Sequence, residues 1–517
     1  MSWRDEVEEL KRRAEMARQM GGAENVEYHR NLGKLNVRER IDALADPDTF
    51  QEIGVLAGHP EWDGNTLKNL VPTNAVTGSV RINGRKAMVV GGDFTIRGGA
   101  ADASIPGKGI ISTRMALTHR IPYVRLLDAS GGSVKILEKM DRTNIPGGDR
   151  SQEAELLHTV PVVSGVMGTV AGLPAVQACL SHFNVMVKNT SRVFVAGPPV
   201  LKAALGIDIH KDDLGNETVQ VRTSGVIANL AENEIDAINQ LRRFLSYMPQ
   251  SVYEMPPRAK TEDDPERRED ELIDVIPRDR RSIYNPHKII KLIVDEDSFF
   301  EIQPLWGKTR ITGLARLDGY PVGLMMNNPL HLGGALDKDG GEKTARLIQL
   351  CDTFHLPIVY LVDEPGFMIG LEEEQKGALR GGARVAALTA LSQTPFISIV
   401  LRQVYGVAGG LHYRGGPNMY RRYAWPSGHW GPMHIEGGVA AAYKREIENA
   451  PDPDAKRKEI EDRLNELRSP FRTAHGFGIE DLIDPRDTRP PLVDFIRDAQ
   501  NILETQLGQT SRIPYLP

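Results

Sequence analysis

Along the first twenty positions Trp3, Val7, Leu10, Ala14 and Ala17 recur at three- and four-residue intervals among charges, the spacing of an amphipathic helix. A second helix start is written at Asn36, with Glu39 three residues on and Ile41 and Leu44 behind it, the pattern of a capping box. Beyond these the period changes. Short apolar runs in VRINGRKAMVVGGD (80–93), PYVRLLDAS (122–130) and VPVVSGVMGTV (160–170) have the length of buried strands and end in or beside glycine. KGIISTRMALTHR (108–120) returns to helical spacing, so strands run into Gly-rich turns and then helices, an α/β pattern.

The pattern occurs twice. VTGSVRINGRKAMVVGGD (76–93) aligns with ITGLARLDGYPVGLMMNN (311–328), pairing Thr77/Thr312, Gly78/Gly313, Arg81/Arg316 and Gly84/Gly319 at a constant separation of 235. The same separation carries IPYVRLLDASGG (121–132) onto LPIVYLVDEPGF (356–367), with Pro122/Pro357, Val124/Val359, Asp128/Asp363 and Gly131/Gly366 in register. Upstream, DPDTFQE (46–52) returns as DEDSFFE (295–301) at 249, a length difference that belongs in the intervening loop. A fixed register over such a span marks a tandem duplication. Segment 254–283 is charged and proline-rich and reads as an exposed connection, which divides the chain into an N-terminal helix (1–32), a first domain (33–253), this linker and a second domain (284–517). The charged helical stretch 444–472 reads as a solvated face.

Composition narrows the classes. A chain of 517 residues, 40% hydrophobic and 26% charged, buries large cores, and a net charge of -6 offers no global basic field for nucleic acid. Cys179 and Cys351 are the only cysteines, too few for a disulfide framework or a four-cysteine zinc site. With no signal-peptide core and no apolar run of membrane-spanning length, the expectation is a cytoplasmic protein with no membrane partner.

The glycine turns carry the candidate chemistry. Neither GxxxxGK[ST] nor a post-strand GxGxxG with its acid occurs, which removes the common phosphate-binding readings. A strand-turn-helix unit also serves as an oxyanion hole, whose N–H groups at a helix start face a charge that develops during reaction. That use agrees with the absence of a Ser/His/Asp triad, HExxH or paired-carboxylate motif. His412, His429 and His434 form no recognised zinc spacing and read as structural or pocket-lining; no metal site is expected. Asp128 and Asp363, at matching strand ends, read as caps that hold the glycine loops.

DASGG with KILEKM behind it, MVKNTSRVFVAGPPVLKAA (186–204), TSGVIANLAENEIDAINQLRRFLSYMP (223–249), VDEPGF, YAWPS and FRTAHGFGIEDLIDPRDTRPPL together resemble the carboxyltransferase subunit of biotin-dependent acyl-CoA carboxylases. The likeness runs from about residue 33 to 500 and is strongest to the propionyl-CoA and methylcrotonyl-CoA carboxylase β subunits. It implies two crotonase-like (ββα-superhelix) domains, matching the duplication, and a reaction in which CO2 from carboxybiotin is captured by the enolate of an acyl-CoA. Biotin then sits on a separate carrier, since no AMKM-like site or ATP-binding loop occurs here, and a biotin carboxylase charges it in trans. A homo-hexamer, a trimer of dimers with sites shared between subunits, is also implied.

By motif position the implied backbone donors are Gly172 and Leu173 in the first half and Val407 and Ala408 in the second, sites related in the repeat. Gly98, Gly99, Lys108, Gly131, Gly132 and Tyr420 fall on the acyl-CoA side, with Lys108 near the CoA phosphates; Tyr420 either tunes acyl choice or is a core tyrosine. Gly366, Phe367, Gly406 and Gly409 fall on the biotin side. Leu173, Pro174 and Val407 replace the small residues usual in the family; bulk narrows the approach and Pro174 lacks a donor, which motivates a silent-scaffold alternative. HYRGGP (412–417) resembles the glutaconyl-CoA decarboxylase α subunit, so decarboxylation is the rival within the fold.

Overall fold

The computed structural model describes residues 2–143, 145, 151–280, 282–412, 418–509 and 515–516. The chain forms two compact units, Met1–Glu254 with Leu516–Pro517, and Met255–Tyr515. In the first, an antiparallel hairpin, Ala75–Ile82 with Arg85–Gly92, opens an eight-stranded sheet. Tyr123–Ala129, Val162–Ala171, Phe183–Val187 and Asn229–Ala231 extend it in parallel, and Arg192–Phe194 adds to the far half of Val162–Ala171. The second unit repeats this order with hairpin Arg310–Leu317/Tyr320–Asn327, then Ile358–Glu364, Phe396–Tyr405, Tyr420–Ala424 and Asp481–Leu482, and His429–Gly431 beside Phe396–Tyr405.

The repeated sequence signals have local physical causes. Asn83 and Gly84 (φ 52° and 78°) and Asp318 and Gly319 (φ 52° and 77°) make two-residue hairpin turns with positive φ at both positions. The acids that open DPDTFQE and DEDSFFE hold them. Asp46 accepts from the N–H groups of Asn83 and Gly84 at 3.1 and 2.7 Å, and Asp295 from those of Asp318 and Gly319 at 3.0 and 2.7 Å. Asn36 caps the helix Val37–Leu44 through the capping box with Glu39.

Two expected boundaries dissolve into the units. The opening helix Arg4–Arg18 is part of the first unit, with Ala17 buried against Leu67 and Leu70. The described residues of the expected linker 254–283 are not a free connection. Arg258 pairs with Asp318 at 2.7 Å, the Ala259 N–H donates to the Gly319 carbonyl at 2.9 Å, and Leu272 enters the second core. Charge in that segment makes ion pairs with the domain surface, which composition alone does not distinguish from solvation. In 444–472, likewise, Ile447 and Ile460 bury against Val439 beneath an otherwise charged helix. Among the described residues no helix is long and apolar enough to cross a membrane.

Candidate functional site

In the first unit the strand Val162–Ala171 ends at Gly172, whose φ of 65° turns the chain into the helix Leu173–Cys179. A positive φ suits glycine, and no atom lies within 4 Å of where a Cβ would stand. Gly172 does not offer its own N–H, which donates to the carbonyls of Phe194 and Val195 at 3.3 and 3.2 Å. The unmatched donor is the next one: Leu173 N–H, first in the helix, has no acceptor among the described residues. Leu173 is absent from the positive-φ positions and its side chain is 42% exposed, so bulk there leaves the turn unstrained. Pro174 occupies the helix's first turn, where a missing N–H costs no internal bond.

Neighbouring glycines fix this turn. The Ser130 N–H donates to the Gly98 carbonyl at 3.0 Å, and the Ala101 N–H to the Gly131 carbonyl at 2.9 Å, tying the loop 97–101 to the DASGG turn. A Cβ on Gly99 would meet the Ala129 Cα at 2.7 Å. On Gly131 (φ 84°) it would stand 2.4 Å from the Ala171 carbonyl oxygen, immediately before Gly172. Gly132 has open space. Asp128 is not the cap of this loop. At a register shift between Leu127 and Ala129 it is fully buried and meets Lys34 at 2.9 Å and Arg40 at 3.1 Å, while Arg40 also holds Glu234 at 2.8 Å.

The second unit rebuilds the turn at Gly406 (φ 63°), which follows Phe396–Tyr405 and is the first residue of the short helix Gly406–Gly409. Gly406 therefore corresponds to Gly172 and Val407 to Leu173, while Ala408 matches Pro174. The N–H groups of Val407 and Ala408 have no acceptor among the described residues. Val407 is 77% exposed and has no positive φ, so it too leaves the turn open. Gly409 lies against Val404, where a Cβ would meet Cγ1 at 2.8 Å, and its carbonyl is held by His412 Nδ1.

Gly366, Phe367 and Gly406 line one cavity of about 460 Å³ with Tyr405, Arg402 and His434. The Gly366 N–H donates to Glu364 Oε1 at 3.1 Å, so Glu364 is the cap that Asp363 was expected to be. Glu364 is buried against Arg310 and the Asn327 side chain; burial, opposed by Arg310, pushes its carboxyl up to about 7. Asp363 instead receives Tyr284 Oη at 2.7 Å and Arg402 at 3.0 Å. Sequence reasoning missed Glu364, although two adjacent acids before Pro-Gly at a strand end were a visible signal. His434 accompanies the same turn, its Nε2 2.8 Å from the Pro365 carbonyl.

Two expected members do not join these turns. Lys108 is 7% exposed and faces Glu52 at 3.8 Å; burial lowers its pKa, with Glu52 opposing, and a buried ammonium is not presented to a phosphate. Tyr420 pairs in register with Phe396, at the far end of the strand from Gly406, about 30 Å away at strand rise. Its hydroxyl meets Ser398 at 3.0 Å, as a core tyrosine would. Of HYRGGP, 413–417 lie outside the described residues.

What both turns offer is helix-start amides, twice, on a duplicated sheet. That defines a crotonase-like tandem. The chain belongs to the carboxyl transferase domain family, whose model matches residues 28–506. It is 34% identical over 98% of both chains to the propionyl-CoA carboxylase carboxyltransferase subunit of Haloferax mediterranei. It is 30% identical over 95% of both chains to the methylmalonyl-CoA decarboxylase subunit alpha of Veillonella parvula. The transcarboxylase 12S hexamer structure with methylmalonyl-coenzyme A and methylmalonic acid bound is 29% identical, with a TM-score of 0.86 over 99% of this chain and 97% of that one. The protein is an acyl-CoA carboxylase carboxyltransferase.

Proposed function

We propose that the protein carboxylates a short acyl-CoA with a carboxyl group delivered as carboxybiotin on a separate carrier protein, working in the cytoplasm as a hexamer. The observation that carries this reading is the pair of equivalent turns, Gly172-Leu173 and Gly406-Val407, each with an unmatched amide on the residue after the glycine. Leu173 N–H is the candidate donor to the thioester oxygen as it gains charge, and Val407 and Ala408 N–H the donors to the ureido oxygen. Bound biotin supplies the carboxyl group and, once relieved of it, the base. The cavity beside Gly366, Phe367 and Gly406 fits a bicyclic ring: glycines permit close backbone approach, and Gly382 leaves room for the Phe367 ring, which a Cβ would meet at 2.2 Å. Exposed Leu173, Val176, Val195, Ile369, Leu371 and Val407 suit a shared interface in the hexamer, a trimer of dimers.

The test is a panel of acyl-CoAs with ATP, bicarbonate and the biotin carboxylase and carrier partner. Carboxylation of a short acyl-CoA, and none without the partner, is expected. No product across the panel despite acyl-CoA binding sinks the proposal and favours the scaffold reading. The relationship to a decarboxylase subunit supports a second reading, net decarboxylation of a malonyl-type CoA, which the same assay run from the carboxylated thioester separates by direction.

A further inference from the structure

Behind Tyr405, on the second unit, lies a second cavity, of about 880 Å³. Arg278, Arg280, Arg402 and Arg468 line it with His429. Arg402 is committed to Asp363 at 3.0 Å. The others have no carboxylate partner among the described residues; Arg280 and Arg468 share only the neutral Asn465 Oδ1, at 3.4 and 2.7 Å. Two acids also line the cavity: Asp484 is held by Arg486 at 2.7 Å, and Glu466 is exposed.

The buried hydrogen bonds sharpen the picture. Arg468 donates to the Tyr405 hydroxyl, which lies 2.8 Å from His429 Nδ1. Guanidinium nitrogens only donate, so the tyrosine oxygen accepts from Arg468 and passes its own proton toward Nδ1. That assigns the proton of the neutral imidazole to Nε2. His429 is 8% exposed, and its Nε2, like Arg468 Nε, is buried with no partner. Burial, then Arg280, Arg468 and Arg402, pull the His429 pKa down to about 3, so the ring stays a neutral donor at physiological pH. A buried donor without an acceptor is costly, and several guanidiniums without a counter-charge repel one another. The repulsion is relieved by an oxyanion in the cavity.

We propose that this cavity binds the phosphate group of a phosphorylated metabolite, with the guanidinium groups of Arg468, Arg278 and Arg280 as its donors. Guanidinium forks match the tetrahedral phosphate face. Beside them Phe471 and Ile273, both exposed, offer an apolar wall for an attached ring system. The site is separate from the glycine-turn cavity but shares Arg280 and Arg402 with it.

Isothermal titration of the full-length protein with inorganic phosphate, ADP and adenosine tests the proposal. Phosphate and ADP are expected to bind and adenosine not to. ADP at least tenfold tighter than phosphate identifies a nucleotide as the source, and equal affinities identify free phosphate. Arg278→Glu and Arg468→Gln should each weaken ADP by about tenfold or more, the loss of one charge-assisted contact, while Arg278→Lys keeps most of the affinity. If Arg468→Gln fails to fold, the Arg278 pair decides. Absence of phosphate and ADP binding at millimolar concentration, or binding that neither variant changes, overturns the assignment.

Discussion

Replacing Gly131 by alanine puts a methyl group 2.4 Å from the Ala171 carbonyl oxygen, at a φ of 84°. The left-handed conformation costs a non-glycine residue about 1–2 kcal/mol, and overpacking against backbone adds about 1–3. If the backbone holds, the first unit loses roughly 2–5 kcal/mol, a fall of roughly 4–20 °C in Tm for a unit of this size. If it yields, the Ala171 carbonyl swings away and carries the Gly172 turn and the Leu173 amide with it. Losing an oxyanion donor outright costs about 10²–10³ in kcat, so a displaced one should cost about tenfold or more. Gly132→Ala is the matched control, because Gly132 has no positive φ and nothing within 4 Å of its Cβ position. Steady-state kinetics of the reconstituted complex, with acyl-CoA and biotin carrier varied separately and Tm measured alongside, reads both effects. A Gly131→Ala protein with lowered Tm and unchanged kcat, or a Gly132→Ala protein equally impaired, would refute the support role.

Leu173→Pro removes the unmatched amide at a position where helices accept proline; kcat should fall by about 10²–10³ with little change in Tm, whereas Leu173→Ala should keep most of kcat. Gly366→Ala strains a φ of 120° beside the 460 Å³ cavity, so the KM for the biotin carrier should rise while the KM for acyl-CoA holds; equal rises in both would defeat the division between halves. Glu364, held at about 7 against an ordinary 4.5, keeps a proton in the folded state that the unfolded chain has released. Its contribution to stability therefore falls as pH rises from about 4.5 to 7, and the Tm difference between Glu364→Gln and the parent should widen across that window; a constant difference would show that Glu364 does not titrate there.

The sequence made the duplication legible because its signals are conformational. Paired turn residues such as Asn83-Gly84 and Asp318-Gly319, and the acids Asp46 and Asp295 that bind their amides, must be spelled in residue types. The glycine turns were legible for the same reason. Which amide of a turn is free was not, because Gly172 and Leu173 differ in where a backbone N–H points, and the carbonyls that capture the Gly172 amide arrive from Phe194 and Val195, more than twenty residues on. Lys108 and Asp128 misled in a related way. A charged residue next to a glycine motif looks like a ligand group, as Lys108 did, or a turn cap, as Asp128 did, until long-range partners, Glu52 for one and Lys34 with Arg40 for the other, take it into the interior.

The free amides at Leu173 and Val407 belong to residues whose side chains are turned to the outside. Both letters can therefore be rewritten, apolar for small, without editing the amides proposed to serve the reacting oxygens. Alanine scanning would pass over them, and so would a reagent aimed at nucleophilic side chains. What such a centre registers is the imino acid, which deletes the amide, and the added β-carbon next door, which tilts it; among the other residues, it is spelled in a script with synonyms.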